Sequence, residues 1–333
     1  MKKVVLALLL LVNAGAAYAQ LTKTDEVKKE LQTENKDTVL WSHGGSVNIG
    51  INEGFLHNWP AGGEIASLVM NGVASGFLTN FDHNNIWTNN ITLAYGLNYT
   101  YSNNFVPRKT DDRIDFTSKY GTKMNNSKDF YFTGLFNGKT QFTKGYNYTA
   151  TNWKDTANSA FFSPAYLTLA AGMEYRKGSD ISLFLSPIAA RDVLVSRFYT
   201  LQSPVGAFGV PYGKTSKFDL GAYFSGRYVL NINKNTIFKT RLDLYANYLA
   251  KDRTDPTGNV IKDNPGNIKV LWDNMFTWKA TKYLGLALGA TFVYDNDVPY
   301  INKTPETSST PPGNNLGWLQ VSQVFTLGII YTF

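Results

Sequence analysis

The sequence contains no cysteine and only three histidines, and beyond its first twenty residues it has no long apolar run. The lack of cysteine excludes a disulfide framework and a lipoprotein attachment site. The lack of a second long apolar run excludes a helical membrane protein. There is also no basic cluster and no Walker, Rossmann or zinc-ligand spacing. We therefore expect no nucleic-acid partner, no cofactor and no metal.

The first twenty residues have the pattern of a secretory signal. Two lysines precede a short apolar run, and the small-residue sequence Ala17-Tyr18-Ala19 follows it. This pattern predicts a cleaved signal peptide over residues 1–19. Residues 20–40 are mostly charged or polar and lack a sustained apolar stripe, so they are interpreted as a polar periplasmic tether. The folded part of the chain is then expected at 41–333.

From Trp41 onward, apolar and polar residues alternate with a period of two. In the stretch "WTNNITLAYGLNYTY", Ile91 and Leu93 fall on one face and Thr92 on the other, because successive strand side chains point to opposite sides. The same alternation recurs along the chain, which is also rich in tyrosine and phenylalanine. The pattern predicts an all-β fold of about 12 strands, within a range of 10–14.

Three features favour a transmembrane barrel over a soluble β-sandwich, which would also alternate. Charges within the strands fall on the polar face, so the other face stays uncharged, as hydrocarbon requires. Short connections alternate with long ones, the latter including 53–64 and 103–112. Aromatic residues concentrate near strand ends, as in the interfacial girdles of such barrels. The sequence therefore predicts a single closed antiparallel transmembrane β-barrel in contact with outer-membrane lipid.

The charged residues on the polar face are the candidates for lining the lumen. They carry both signs, which predicts a charge-laced interior rather than open water. The candidates are Asp115, Lys119, Lys139, Glu174, Asp219, Arg227, Lys239, Arg241, Asp243, Lys269 and Asp273.

The stretch "VSQVFTLGIIYTF" carries an apolar residue at every second position. Because the last strand of a closed barrel pairs with the first, this stretch is interpreted as the closing strand. A final aromatic residue after alternate apolar ones also resembles the signal that bacterial barrel-assembly machinery recognises. The residues assigned to this assembly signal are Phe325, Leu327, Ile329, Tyr331 and Phe333.

Several stretches resemble one known family. They include "NWPAGGE", "RKTDDRIDFTSKYG", "FFSPAYLTLAAGMEY" and "FVYDND". On these the chain resembles the domain of unknown function 3078 family, whose members are predicted outer-membrane proteins of Bacteroidetes-type bacteria. The resemblance implies the location and the barrel architecture, and it implies no activity.

Possible catalytic groups are few. Ser42 and Ser46 flank His43, but this group is expected before the first strand, on the periplasmic side. Asp82 beside His83 is expected in a periplasmic turn. The pairs Asp111–Asp112 and Asp295–Asp297 are expected in outer loops. Paired carboxylates there could bind Ca²⁺ or polarise a water, but acidic pairs in loops are more often turn formers. None meets the geometric tests of a catalytic site, so the prediction is that the protein is not an enzyme.

The loop "NWPAGGE" allows two interpretations. Trp59 with Gly62 and Gly63 could form a loop folded into the pore, or Trp59 could belong to the interfacial girdle while the glycines turn the chain. The girdle interpretation is favoured.

Three functions remain open. The first is a small low-conductance channel or transport protein of unknown substrate, because twelve strands lie between filled eight-stranded barrels and open sixteen-stranded ones. The second is a structural or assembly component of an envelope complex. The third, and least favoured, is an outer-membrane hydrolase.

Overall fold

The computed structural model is built on twelve long strands. It describes residues 41–55, 66–82, 84–124, 127–146, 148, 152–155, 157–177, 180–281, 284–295 and 319–332. In chain order the strands are β1 (Trp41–Phe55), β2 (Ala66–Asp82), β3 (Asn85–Thr100), β4 (Arg108–Lys123), β5 (Phe130–Thr140), β6 (Ala165–Lys177), β7 (Ile181–Leu194), β8 (Ser216–Asn233), β9 (Thr236–Asn247), β10 (Lys269–Lys279), β11 (Leu284–Tyr294) and β12 (Leu319–Thr332).

These strands form one closed barrel. Each strand pairs antiparallel with its neighbours along the chain, and β12 pairs with β1. The prediction of a closed antiparallel barrel of about 12 strands is therefore confirmed. Among the described residues, no helix is long and apolar enough to cross a membrane.

Side chains alternate between the two faces of the barrel wall. On β6, Leu169 and Met173 are 60% and 52% exposed, whereas Ala170 and Glu174 are 7% and 0% exposed. Since successive residues of a strand point to opposite sides, the exposed apolar residues form the outer surface and the buried polar ones point inward. The outer face is thus apolar, and the interior is polar.

One irregularity shapes the wall around β7. Pro187 cannot donate a ladder hydrogen bond, and the register shifts on both neighbouring strands close to it. The Ser186 hydroxyl donates to the carbonyl oxygen of Ala171 at 2.7 Å or of Ile188 at 2.8 Å. A Cβ at Gly172 would lie 2.1 Å from the carbonyl oxygen of Leu185, so the bulge requires glycine there.

The two ends of the barrel differ. At one end, here called the short-turn end, two to six residues join β2 to β3, β4 to β5, β6 to β7, β8 to β9 and β10 to β11. The opposite, long-loop end carries most of the long connections. The predicted long link 103–112 is wrong, because a single 3-10 turn at Tyr101–Asn103 reverses the chain and β4 already begins at Arg108.

Three connections at the long-loop end pack together into a cap. Val193, Val195 and Val210 form an apolar cluster with Ala157 and Tyr199. The Gln202 side chain donates to the Ala157 carbonyl oxygen at 2.9 Å, and Arg253 donates to the Gly209 carbonyl oxygen at 2.9 Å. The loops that follow β5, β7 and β9 therefore support one another over one side of the barrel.

The seam that closes the barrel is short. β1 pairs with β12 over five residue pairs, from Ser46–Thr332 to Gly50–Gly328. The same strand pairs with β2 over fifteen residue pairs, and β11 pairs with β12 over eleven. The seam is thus the shortest ladder that β1 and β12 make.

Candidate functional site: the interior of the barrel

The inward charges are confined to one arc of the barrel. The seven consecutive strands β4–β10, here called the charged wall, carry every inward-facing Asp, Glu, Lys and Arg within the described strands. The remaining arc, β11, β12, β1, β2 and β3, is called the neutral wall. Its charged residues, Glu53 and Asp82, are exposed near strand ends, and its interior positions are mostly Gly, Ala, Ser, Thr and Asn.

Towards the short-turn end, Glu174 is the centre of a buried ion-pair cluster. The Lys119 ammonium lies 3.2 Å from Glu174 Oε1, and the Arg176 guanidinium donates to Oε2 at 3.2 Å. The Ser182 and Thr133 hydroxyls donate to the same carboxylate at 2.8 and 3.2 Å. A carboxylate with no exposed surface needs this many donors, because burying an unpaired charge is very costly.

An aromatic ring packs against this Glu174 cluster. Phe184 on β7 is fully buried, and the Lys119 ammonium lies 5.7 Å from its ring centroid. Phe184 also contacts Tyr223, at 6.1 Å between ring centroids. The interior beside β4–β8 is therefore filled by side chains at this level.

A second group of charges, here called the middle layer, lies nearer the centre of the barrel. Asp115 accepts a hydrogen bond from Asn137 at 2.7 Å and lies 3.9 Å from the Lys139 ammonium. Asp243 forms an ion pair with Arg241 and accepts a hydrogen bond from Ser225 at 2.6 Å. The middle layer consists of Arg113, Asp115, Lys139, Arg241, Asp243 and Asp273.

The middle layer connects opposite sides of the lumen. The charge of Lys139 on β5 interacts with those of Asp243 on β9 and Asp273 on β10. Asp273 interacts in turn with Arg113 on β4, which is six strands away around the ring of twelve. Three cations and three carboxylates thus face one another across the lumen within the range of electrostatic interaction, and their charges balance.

The remaining predicted lumen residues lie on the charged wall. Asp219 is 1% exposed and accepts a hydrogen bond from Asn247 at 2.8 Å. Lys239 is buried, and Arg227 is half-buried with its charge close to that of Lys119. Lys269 lies at the long-loop end, 3.0 Å from Asp295.

Above the middle layer, towards the long-loop end, lies a cavity of about 290 Å³, here called the outer cavity. Arg191 points into it between two aromatic rings, 5.3 Å from the centroid of Tyr166 and 5.7 Å from that of Tyr245. Asp295 lies 3.0 Å from the Lys269 ammonium and 3.9 Å from the Arg191 guanidinium.

Sequence reasoning missed several of these interior residues. Arg176 has the same strand parity as Glu174, so alternation alone could have identified it. Arg113 follows from the parity of Asp115 in the same way. Arg191 was missed because the bulge at Pro187 reverses the alternation of β7, so that Phe184 faces inward before it and Ala189 and Arg191 face inward after it. Asp295 lies just after β11, so the alternation of strand side chains does not predict which way it points.

Other predicted residues lie elsewhere. His43 is part of β1, where it pairs with Leu78, and its side chain is exposed on the outer face; the expectation that it precedes the first strand is wrong. Asp111 and Asp112 belong to β4 rather than to an outer loop, because the turn before them is short. Asp112 accepts hydrogen bonds from the backbone N–H of Phe142 and Thr143, at 2.6 and 2.9 Å.

Leu327 and Ile329 of the predicted assembly signal face outward. Several predicted positions fall outside the residues or side chains that the structure describes. They are Trp59, Gly62, Gly63, His83, Asp297, Phe333, residues 1–40 and the side chains of Phe325 and Tyr331. Within the described part of the chain, no group of three or more His, Asp or Glu side chains could hold a metal ion.

Comparison with known proteins supports part of the family resemblance. Residues 51–146 match the model of the family described as a protein of unknown function (DUF3078), which confirms the resemblance over that part of the chain. No curated protein matches the chain.

Solved structures similar to this chain include membrane barrels. An outer membrane channel from Pseudomonas putida F1 is 10% identical, with 90% of this chain and 97% of that one covered and a TM-score of 0.38. The translocator domain of the autotransporter NalP from Neisseria meningitidis is 9% identical, with 90% of each chain covered and a TM-score of 0.35. The NanC porin is 10% identical, with 85% and 98% covered and a TM-score of 0.34.

Proposed function

We propose that this protein is an outer-membrane β-barrel that forms a narrow channel of low conductance. The observation that carries the proposal is the middle layer, in which three cations and three carboxylates meet across a closed barrel. A polar lumen favours passage of water and small solutes, whereas charges paired across it narrow the free path. Because the layer is balanced, this constriction by itself gives little preference between cations and anions.

The outer surface supports the location in a membrane. Trp41, Trp87 and Trp278 are exposed near the short-turn end, and Trp272 is exposed towards the long-loop end. Tryptophan is enriched at both membrane–water interfaces, and the apolar strand residues between these levels would contact lipid. Insertion by the bacterial barrel-assembly machinery is part of the same proposal.

Planar-bilayer recording on the refolded protein tests the channel. The wild type should give small single-channel currents with weak ion selectivity. Arg241→Ala leaves two cations against three carboxylates in the middle layer, so we expect a larger current and a shift towards cations. Lys262→Ala is the matched control, because Lys262 is 80% exposed in a loop outside the lumen.

Two results would contradict this proposal. One is a wild-type current as large as that of an open general porin. The other is an Arg241→Ala protein whose current and selectivity equal those of both the wild type and the Lys262→Ala control.

Cysteine labelling on whole cells tests the location and orientation. The chain has no cysteine, so a single introduced thiol is unique. We expect Lys262→Cys, at the long-loop end, to react with a membrane-impermeant maleimide on intact cells. Asn235→Cys, in the exposed turn between β8 and β9, should react only after the outer membrane is opened. The reverse pattern would invert the proposed orientation, and labelling of both on intact cells would argue against it.

The cap at the long-loop end favours a second candidate function. Its three loops form a mutually supported surface rather than separate flexible segments, and Phe198 on it is 58% exposed. Such a surface suits a structural role in which another envelope protein docks on the barrel. Absence of any current from correctly folded protein would favour this alternative. We propose no enzymatic activity for the protein.

A further inference from the structure

Four kinds of chemical group line the outer cavity, a combination that is absent from the middle layer. Its wall includes planar phenol rings, an aromatic-stacked guanidinium, an ammonium group and aliphatic side chains such as Leu135 and Val293. Its volume of about 290 Å³ lies just below the usual range for ligand pockets, which begins at about 300 Å³. These dimensions suit a small molecule rather than a peptide or a lipid.

The orientation of Arg191 is fixed by its surroundings. The guanidinium lies between the rings of Tyr166 and Tyr245, within the distance at which a cation is attracted to an aromatic face. Tyr245 is itself 6% exposed, and its hydroxyl donates to the Ala189 carbonyl oxygen at 3.4 Å. A guanidinium held in one plane is suited to bidentate recognition of a carboxylate.

The cavity wall carries a surplus of positive charge. Its cations are Lys139, Arg191 and Lys269, and its carboxylates are Asp243 and Asp295. The lining thus holds three cations and two carboxylates, and Asp295 contacts two of the cations, Arg191 and Lys269. This balance favours an anionic ligand over a cationic one.

We infer that the outer cavity binds a small aromatic carboxylate. The carboxylate would lie against Arg191 and Lys269, and its ring would pack among Tyr166, Tyr223 and Tyr245. This inference rests on the proposed channel and names the class of solute that its lumen retains. Both the carboxylate and the ring of the ligand contribute to binding, because the charged groups and the aromatic rings line the same cavity.

Calorimetric titration of the full, refolded barrel in detergent tests the site, with benzoate as the probe. Benzyl alcohol keeps the ring without the charge, and acetate keeps the charge without the ring. We expect benzoate to bind at least about tenfold more tightly than either, because each comparator lacks one of the two contacts. Equal binding of acetate, equal binding of benzyl alcohol, or no binding of benzoate would overturn the inference.

Variants locate the site. Arg191→Lys keeps the charge but loses the planar, stacked donor, and it should weaken benzoate binding about tenfold. Lys269→Gln, on a different strand, should also weaken benzoate binding. This variant replaces Arg191→Lys as the test if Arg191→Lys does not fold. Lys262→Gln, outside the cavity, should leave the affinity unchanged. If neither cavity variant differs from Lys262→Gln, the inference is wrong.

Bilayer recording separates this inference from the proposed channel. Benzoate should reduce the wild-type current, with the reduction lost in Lys269→Gln. Benzoate binding without any current would support the site and contradict the channel. A current without benzoate binding or block would support the channel and contradict the site.

Discussion

The charged wall and the neutral wall face the same lumen, yet they bury different kinds of polar group. On the charged wall, Glu174 has no exposed surface and receives hydrogen bonds from four side chains. On the neutral wall, the hydroxyls of Thr88 and Thr92 are buried without a hydrogen-bond partner among the described residues. At these positions, electrostatic pairing stabilises the buried groups of the charged wall, whereas the neutral wall carries small uncharged polar residues.

The difference explains how the lumen of a barrel of this size can be narrowed from one side. Long Arg, Lys and Tyr side chains extend from β4–β10, and small residues on the opposite arc leave room for them. Because interiors are close-packed, bulky residues on both arcs would compete for the same space. A substitution that removes a charge should therefore reduce stability most on the charged wall. A substitution that adds volume should reduce stability most on the neutral wall.

The largest effect is expected from Glu174→Gln. The substitution keeps the shape but leaves Lys119 and Arg176 buried without their carboxylate. Removing one partner of a buried pair costs about 3–5 kcal/mol, so the free energy of unfolding should fall by that order. Urea unfolding of the refolded barrel in lipid vesicles measures the change.

The neutral wall offers the matched control for that loss. Thr92→Val is of similar shape and removes a hydroxyl that has no partner among the described residues, so the free energy of unfolding should change by less than about 1 kcal/mol. If Thr92→Val and Glu174→Gln were equally costly, the distinction between the two walls would fail.

A smaller but clear loss is expected from Gly328→Ala at the seam. A Cβ there would lie 2.6 Å from the carbonyl oxygen of Ile49, which is backbone and cannot move aside cheaply. Overpacking of this kind costs about 1–3 kcal/mol, measured by the same unfolding assay. Gly76→Ala is the control, since the nearest atom to its Cβ would be 3.6 Å away. A seam variant as stable as this control would show that the neutral wall adjusts freely to added volume.

The smallest effect is expected from protonation of Asp255, which belongs to neither wall. Hydrogen bonds from the Thr257 hydroxyl and from backbone N–H groups of the same loop lower the pKa of the Asp255 carboxyl. A lowered pKa in the folded state stabilises the loop above the ordinary Asp pKa of about 3.9 and loses that contribution as pH falls through the folded-state pKa. The NMR amide signal of Thr257 should therefore stay constant from pH 7 to 5 and shift only in more acidic solution. A shift centred near pH 6 would contradict this assignment.

The sequence predicted the barrel and the inward parity of its charges, because alternation is a local property of each strand. It identified Asp115 and Asp273 as inward, but not that Asp273 interacts with Arg113 across the lumen. Such distances depend on the stagger of all twelve strands, which no local pattern contains. The outer cavity was missed for two other reasons: Asp295 lies beyond strand β11, and the bulge at Pro187 reverses the alternation that would place Arg191.

The short seam between β1 and β12 has a consequence for how the barrel forms and opens. Gly50 and Gly328 are paired, yet nearly the whole described chain separates them, so this contact has the greatest loop-closure cost and should form late in folding. The five residue pairs of the seam then close a sheet that the other strand pairings have already ordered. We expect unfolding to begin at this seam and to give a twelve-stranded open sheet with two unpaired edges, a form that would pair readily with other chains.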